Sequence, residues 1–174
     1  MKSGHQRIHF EGKDYIWTGS DWYEATTCLT PPASLIRALN AEIALALQQQ
    51  DHSITEVPEL ISTACAARDA GQHSRAELLI RRALAKEPGN LAARVVLSST
   101  LRARGYPEQA LAETNALRSA NHPALHTTRA AALCDLGQWE EAKREIGRAL
   151  AISSDEESFS VVRRIKAAAP ELYW

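Results

Sequence analysis

The sequence predicts a mainly α-helical fold: an α-α solenoid of three helix pairs with flanking helices and a small N-terminal β-hairpin. Three observations carry this expectation. A phrase recurs, reading Gly71-x4-Ala76-x6-Ala83-x4-Pro88, then Gly105-x4-Ala110, then Gly137-x4-Ala142-x6-Ala149. Its copies are offset by 34 and then 32 residues, a period that belongs to stacked helix pairs. Around each copy the apolar residues recur at helical spacing, whereas residues 7–17 read as two short strands about a turn.

Taken in order, residues 1–30 form an aromatic hairpin segment. With Gly12-Lys13 as a type II′ turn, Phe10 faces Tyr15 and Ile8 faces Trp17. Asp21-Trp22-Tyr23-Glu24 follows as a short helical turn. A lone hairpin is marginal in water, so it needs a surface to pack on. Phe10, Tyr15, Trp17 and Trp22 therefore serve an N-terminal cap or a docking surface for a partner. Residues 31–56 supply a leading helix and linker. The helix runs from Pro31 to Gln49, capped by Thr30, with Leu35, Ile36, Leu39, Ile43 and Leu47 as its apolar stripe. The polar run from Gln48 to Ser53 reads as the connection.

Three repeats cover residues 57–156, divided as 57–90, 91–122 and 123–156. In the first, a helix from Val57 to Ala70 ends at Gly71, which suits a left-handed terminator. A second helix, Ser74 to Lys86, turns Ala76, Leu79, Ile80, Ala83 and Leu84 inward. Asn90 is a candidate cap for the next helix. The second repeat places Leu91, Val95, Leu97 and Leu101 before Gly105. Pro107 then opens a helix burying Ala110, Leu111 and Leu117. The third has Leu125, Ala130, Leu133 and Leu136 before Gly137, then Trp139, Ala142, Ile146, Ala149 and Leu150. The alanines at 76, 110 and 142 let helix backbones approach; a larger residue there would overpack the contact. Residues 157–174 supply a capping helix and tail. Ser154-Asp155-Glu156-Glu157 has the form of a capping box, and Phe159, Val162 and Ile165 are expected to cover the last repeat.

These residues resemble the tetratricopeptide repeat family, which keeps small residues at its eighth and twentieth positions. Ala64 and Ala76, Ser98 and Ala110, and Ala130 and Ala142 stand there. Ile80 and Ile146 match the family's large residue at position 24, and Ala83 and Ala149 its small residue at 27. The second repeat departs, with Thr114 and Leu117 at those places and two residues fewer than the first. Only Pro88 matches the closing proline, and the aromatic residues frequent in the family's first helix are missing. The resemblance implies a tetratricopeptide-like solenoid whose first helices line a concave peptide-binding groove. Carried over, the groove positions are Ile61, Cys65, Arg68 and Asp69; Val95, Val96, Ser99 and Arg102; and Thr127, Thr128, Ala131, Cys134 and Asp135. Arg68 and Arg102 share a register. Either they receive a ligand carboxylate through bidentate bonds, or Asp69 and Asp135 neutralise them. The lysine, asparagine and arginine clamp by which some members hold a C-terminal carboxylate is absent: Ile61, Cys65, Val96, Ala124 and Thr128 stand at its places.

Composition narrows the function. A net charge of −1 argues against a chain held to nucleic acid or membrane by its overall field. The start has no apolar stretch of a secretory signal, and no segment has the apolar length of a membrane span. Cys28, Cys65 and Cys134 are odd in number and widely spaced, unlike a disulfide framework or a zinc site. A cytoplasmic location is expected. His5 and His9 precede a strand, so their spacing of four has no helical meaning as a metal pair. Arg81-Arg82 and Arg163-Arg164 read as solvated helix faces. No phosphate loop, paired-carboxylate site or nucleophile with a base is found. The expectation is a non-catalytic adaptor or scaffold that binds a protein or peptide and needs no cofactor or metal. The alternatives are a small dedicated chaperone similar to bacterial secretion chaperones, or a subunit self-associating through its aromatic N-terminus or Leu172-Tyr173-Trp174.

Overall fold

A computed structural model describes residues 6–18, 21–117 and 120–173. The chain divides into two compact units between Ile54 and Thr55. His5 and Trp174, singled out above, lie outside the described residues.

The first unit is a three-stranded antiparallel sheet with one long helix. Strands β1 (Gln6–Phe10), β2 (Lys13–Trp17) and β3 (Trp22–Glu24) pair in the order β1-β2-β3. The hairpin register differs from the expected one: Phe10 pairs with Lys13 and Ile8 with Tyr15. Glu11 and Gly12 form the turn, at φ 48° and 79°. Two positive φ values belong to a type I′ turn, whose twist matches the strands. The shift is two residues along the ladder, so parity is kept and the same side chains still share a face. Residues 22–24 are a strand and not a helical turn, with Trp22 opposite Trp17.

Helix α1 (Ala33–Ser53) starts later and ends later than expected. Pro32 is its N-cap, with no side-chain cap bond, so Thr30 does not cap it. The run expected to be a connection completes the helix. Leu39 is fully buried against Tyr15 and Trp22, with Ile8, Phe10, Trp17, Leu35, Ile36 and Ile43 around them. The Trp22 indole N–H donates to Asn40 Oδ1 at 2.8 Å, satisfying the one polar atom that this burial would strand.

The second unit is helical throughout. Its elements are α2 (Val57–Asp69), α3 (His73–Lys86), α4 (Leu91–Ala103), α5 (Pro107–Asn115), α6 (Pro123–Asp135), α7 (Trp139–Ile152) and α8 (Glu156–Ala168). A 3-10 turn, Pro170–Tyr173, closes it. Each first helix of a repeat ends the same way. Gln72 N donates to Ala67 O and Gly71 N to Arg68 O; Tyr106 and Gly105, then Gln138 and Gly137, repeat the pattern. That is a Schellman ending, and it needs a left-handed residue; Gly71, Gly105 and Gly137 take φ of 75°, 81° and 71°. Asn90 caps α4, accepting from Ala93 N at 3.0 Å. Asp155 caps α8, accepting from Ser158 N at 2.7 Å, so the cap lies one residue beyond the expected Ser154.

Ala64, Ser98 and Ala130 of the first helices and Ala76, Ala110 and Ala142 of the second are all fully buried. The serine needs a partner there and has one, donating to Ala110 O at 2.9 Å. The core behind repeat three joins Ala130, Leu133, Cys134, Ala142, Ile146 and Ala149 to Val161 and Ile165 of α8. Val161 replaces Phe159 in the expected capping stripe; Phe159 is 44% exposed and Val162 only partly buried. The first helices touch one another along the row α2, α4, α6, and α8 continues it. Helices α3, α5 and α7 make their main contacts with first helices, so they form an outer layer.

Two substitutions separate the backbone requirement from the packing requirement. An added Cβ at Gly137 meets nothing within 4 Å, so Gly137→Ala is strained only by its φ and should cost about 1 kcal/mol. Ala142→Leu must displace neighbours and should cost about 1–3 kcal/mol in urea unfolding.

Candidate functional site

The expected groove positions fall into two groups. On α2 and α4, Ile61, Cys65, Arg68, Val95, Ser99 and Arg102 are partly exposed, and Val96 is buried. On α6, Leu125 through Cys134 are buried without a break, so Thr127, Thr128 and Ala131 show almost no surface. This corrects the expectation that all three repeats present groove side chains. Helix α6 packs against α4, α5, α7 and α8, and Thr127 Oγ1 lies 2.8 Å from Ser158 Oγ of α8. The accessible part of the inner face is formed by α2 and α4.

A polar ladder crosses that face. Arg68 Nη1 of α2 donates to Ser99 Oγ of α4 at 2.9 Å, and its Nε to the adjacent Asp69 at 2.9 Å. Arg102 of α4 donates to Asp135 of α6 at 2.5 Å, and Arg164 of α8 reaches the other oxygen of Asp135 at 2.6 Å. Both expected aspartates thus engage the two arginines, and the pairs tie neighbouring helices together. Ser99, Arg102, Ala103 and Asp135 line a shallow depression of about 220 Å³. Arg164 and the hydroxyl of Ser99 were not legible as partners, because α8 lies outside the repeats and Ser99 outside any charge pattern.

The aromatic residues expected as a docking surface are internal to the first unit. Tyr15 and Trp22 are buried, Phe10 and Trp17 are partly buried, and the two indoles stand 5.4 Å apart in a tilted pair. They pack on α1. Arg81 pairs with Glu77 and Arg163 with Glu156, as solvated helix faces do. His9 contacts Asp14 at 2.9 Å, and the hydrogen bonds of His9 and Arg7 draw the Asp14 carboxyl below its ordinary range.

Among the described residues, no group of three or more histidines, cysteines, aspartates or glutamates is placed to hold a metal ion. None of their helices is long and apolar enough to cross a membrane.

Comparison with known proteins gives a consistent picture. Residues 67–131 match the tetratricopeptide repeat family model. The first tetratricopeptide domain of human RPAP3 superimposes with a TM-score of 0.61 at 19% identity, covering 66% of this chain and 93% of that one. The Sgt2 tetratricopeptide domain from Aspergillus fumigatus gives 0.59 at 18% identity, covering 69% and 81%. The helical unit has the fold of a tetratricopeptide-repeat domain. A search of curated protein sequences gives no match.

Two titrations within the helical unit follow from its geometry. Burial acts to raise Asp135, but the hydrogen bonds from Arg102 and Arg164 outweigh it and hold the carboxyl below its ordinary value. A depressed folded pKa stabilises the fold above the unfolded value, near about 4, and that contribution is lost as pH falls through the folded value. An NMR titration should therefore place the Asp135 midpoint below that of an unfolded aspartate, and Arg102→Gln should move it upward. Burial also raises the Cys134 thiol, which stays protonated at neutral pH. Alkylation should label exposed Cys28 first, Cys65 more slowly, and Cys134 only on unfolding.

Proposed function

We propose that this protein is a non-catalytic adaptor that binds a protein or peptide along the inner face of α2 and α4. The observation that carries the reading is the accessible surface of Ile61, Cys65, Arg68, Val95, Ser99 and Arg102, laid across two stacked helices. Stacked repeats present side chains from successive units at regular spacing, which suits an extended or helical ligand. The third-repeat positions, Thr127, Thr128 and Ala131, are buried and add no surface to it. The tetratricopeptide likeness supports an interaction role, although it extends to the fold alone at these identities.

The chemistry of the face argues for a ligand with small apolar anchors. Ile61, Cys65 and Val95 offer modest apolar surface, and the clamp positions carry no cation. Arg68 and Arg102 are engaged by Asp69, Ser99 and Asp135, so a ligand carboxylate would have to compete for them. The ladder orders the guanidinium groups in advance, which lowers the entropy cost of a polar contact with a passing peptide carbonyl.

The test is affinity capture from the native cell with wild type and two variants, Ile61→Glu/Val95→Glu and Arg68→Glu/Arg102→Glu, each checked for an intact thermal transition. Loss of the same recovered partner in both variants is expected. Retention of every partner by folded variants would overturn the inner-face assignment.

A further inference from the structure

The outer layer contains a cavity lined by charged residues. Helices α3 and α7 each have 14 residues, but α5 has nine. The helix is thus five residues, about 7.5 Å, shorter. Beside the end of α5 a cavity of about 250 Å³ opens between α5, α6 and α7, with Leu111 and Asn115 from α5, Arg129 from α6, and Arg144, Glu145 and Arg148 from α7 among its walls. Leu133 and Glu141 complete it.

The charges in this cavity are not incidental to the repeat. Arg94 and Glu113 form an ion pair between α4 and α5 at 2.6 Å. The positions 32 residues on are His126 and Glu145, in contact at 2.8 Å. The positions 34 residues earlier are Leu60 and Leu79, both fully buried. One contact between the helices of a repeat is thus apolar in repeat one and polar in repeats two and three. Repeat three then adds a second cation: Arg129 stands where repeat two has the buried Leu97. The side chains of Arg129 and Glu145 are each only 7% exposed, and Arg129 Nε lies 3.6 Å from Glu145. Arg148, at the rim, reaches Glu145 at 2.6 Å, and Arg144 reaches Glu141 at 2.7 Å.

Placing an arginine where packing accepts leucine costs desolvation that a purely structural contact would avoid. Among the described residues, the cavity wall carries three guanidinium groups against two carboxylates, a surplus of one positive charge, beside the apolar Leu111 and Leu133. We propose that this outer cavity binds the carboxylate side chain of an acidic peptide. Its aliphatic stem would lie on the two leucines and its carboxylate among Arg129, Arg144 and Arg148. Charge-assisted bonds to guanidinium are among the stronger and more directional polar contacts. The site is independent of the inner face on α2 and α4.

The probe is the peptide acetyl-Gly-Leu-Glu-Leu-Gly-amide, compared with its glutamine counterpart, titrated into the full chain while the arginine Nε–Hε signals are followed by NMR. Saturable shifts with the glutamate peptide are expected, with binding at least about tenfold weaker for the glutamine peptide. Arg144→Gln/Arg148→Gln, at exposed positions, should keep the fold and weaken binding by a similar factor. Arg129→Leu, which restores the residue type of repeat two, should abolish it. Arg68→Glu/Arg102→Glu should leave it unchanged, separating this site from the inner face. Equal binding of the two peptides, undiminished binding to folded Arg144→Gln/Arg148→Gln, or no saturable shift would overturn the proposal.

Discussion

The close approach of helices at six small residues is the constraint on which the rest of the helical unit depends. Ala64, Ser98 and Ala130 meet the second helices, and Ala76, Ala110 and Ala142 answer them, each with no exposed surface. Where backbones come this near, side-chain volume has no room to vary, and interior packing resists even one added methylene. Everything that gives the unit a use follows from that spacing. It brings the first helices into a continuous row, and it sets α8 against α6 as a further member of that row. It also holds Arg68 and Arg102 where they reach across to the next helix.

The row is not uniform, and its irregularities locate the chemistry. Repeat two has a shortened second helix, and the cavity on the outer layer opens beside its end. Repeat three has a first helix buried on every side, which no amphipathic surface helix would be. Its polar residues are therefore obliged to find partners. Thr127 meets Ser158, and His126 meets Glu145. The expected groove positions left accessible are correspondingly fewer than three repeats would supply, and on α6 Asp135 is the one that stays exposed.

Much of this architecture was legible because glycine and alanine carry strong positional meaning. Gly71, Gly105 and Gly137 mark helix endings that only a left-handed residue completes, and the alanines mark crossings. The helix boundaries of the repeats were accordingly read within a residue or two, except that the second helix of repeat two ends at Asn115, before Leu117. What was not legible depended on contacts between distant residues. The turn at Glu11-Gly12 was misread because a glutamate at positive φ is disfavoured, and nothing local announces it. Trp22–Glu24 became a strand because β2 offered an edge, whereas alone it reads equally as a turn. Val161, and not Phe159, faces the core, because the buried stripe of α8 runs through Ser158, Val161 and Ile165. The outer charged cavity left a trace that could have been found. Comparing residues 32 apart shows the pair Arg94 and Glu113 continued as His126 and Glu145, with Leu97 replaced by Arg129.

The proposed working surface of the helical unit is the inner side of α2 and α4. Hydrogen exchange of the complex with its captured protein partner tests that most directly, since it reports which backbone segments lose access to water. Protection is predicted at the C-terminal halves of α2 and α4, around Cys65 to Arg68 and Ser99 to Arg102, over and above that of the free chain. A complex in which those segments exchange as they do in the free protein, while protection appears only in residues 6–53 or on α3, would contradict it.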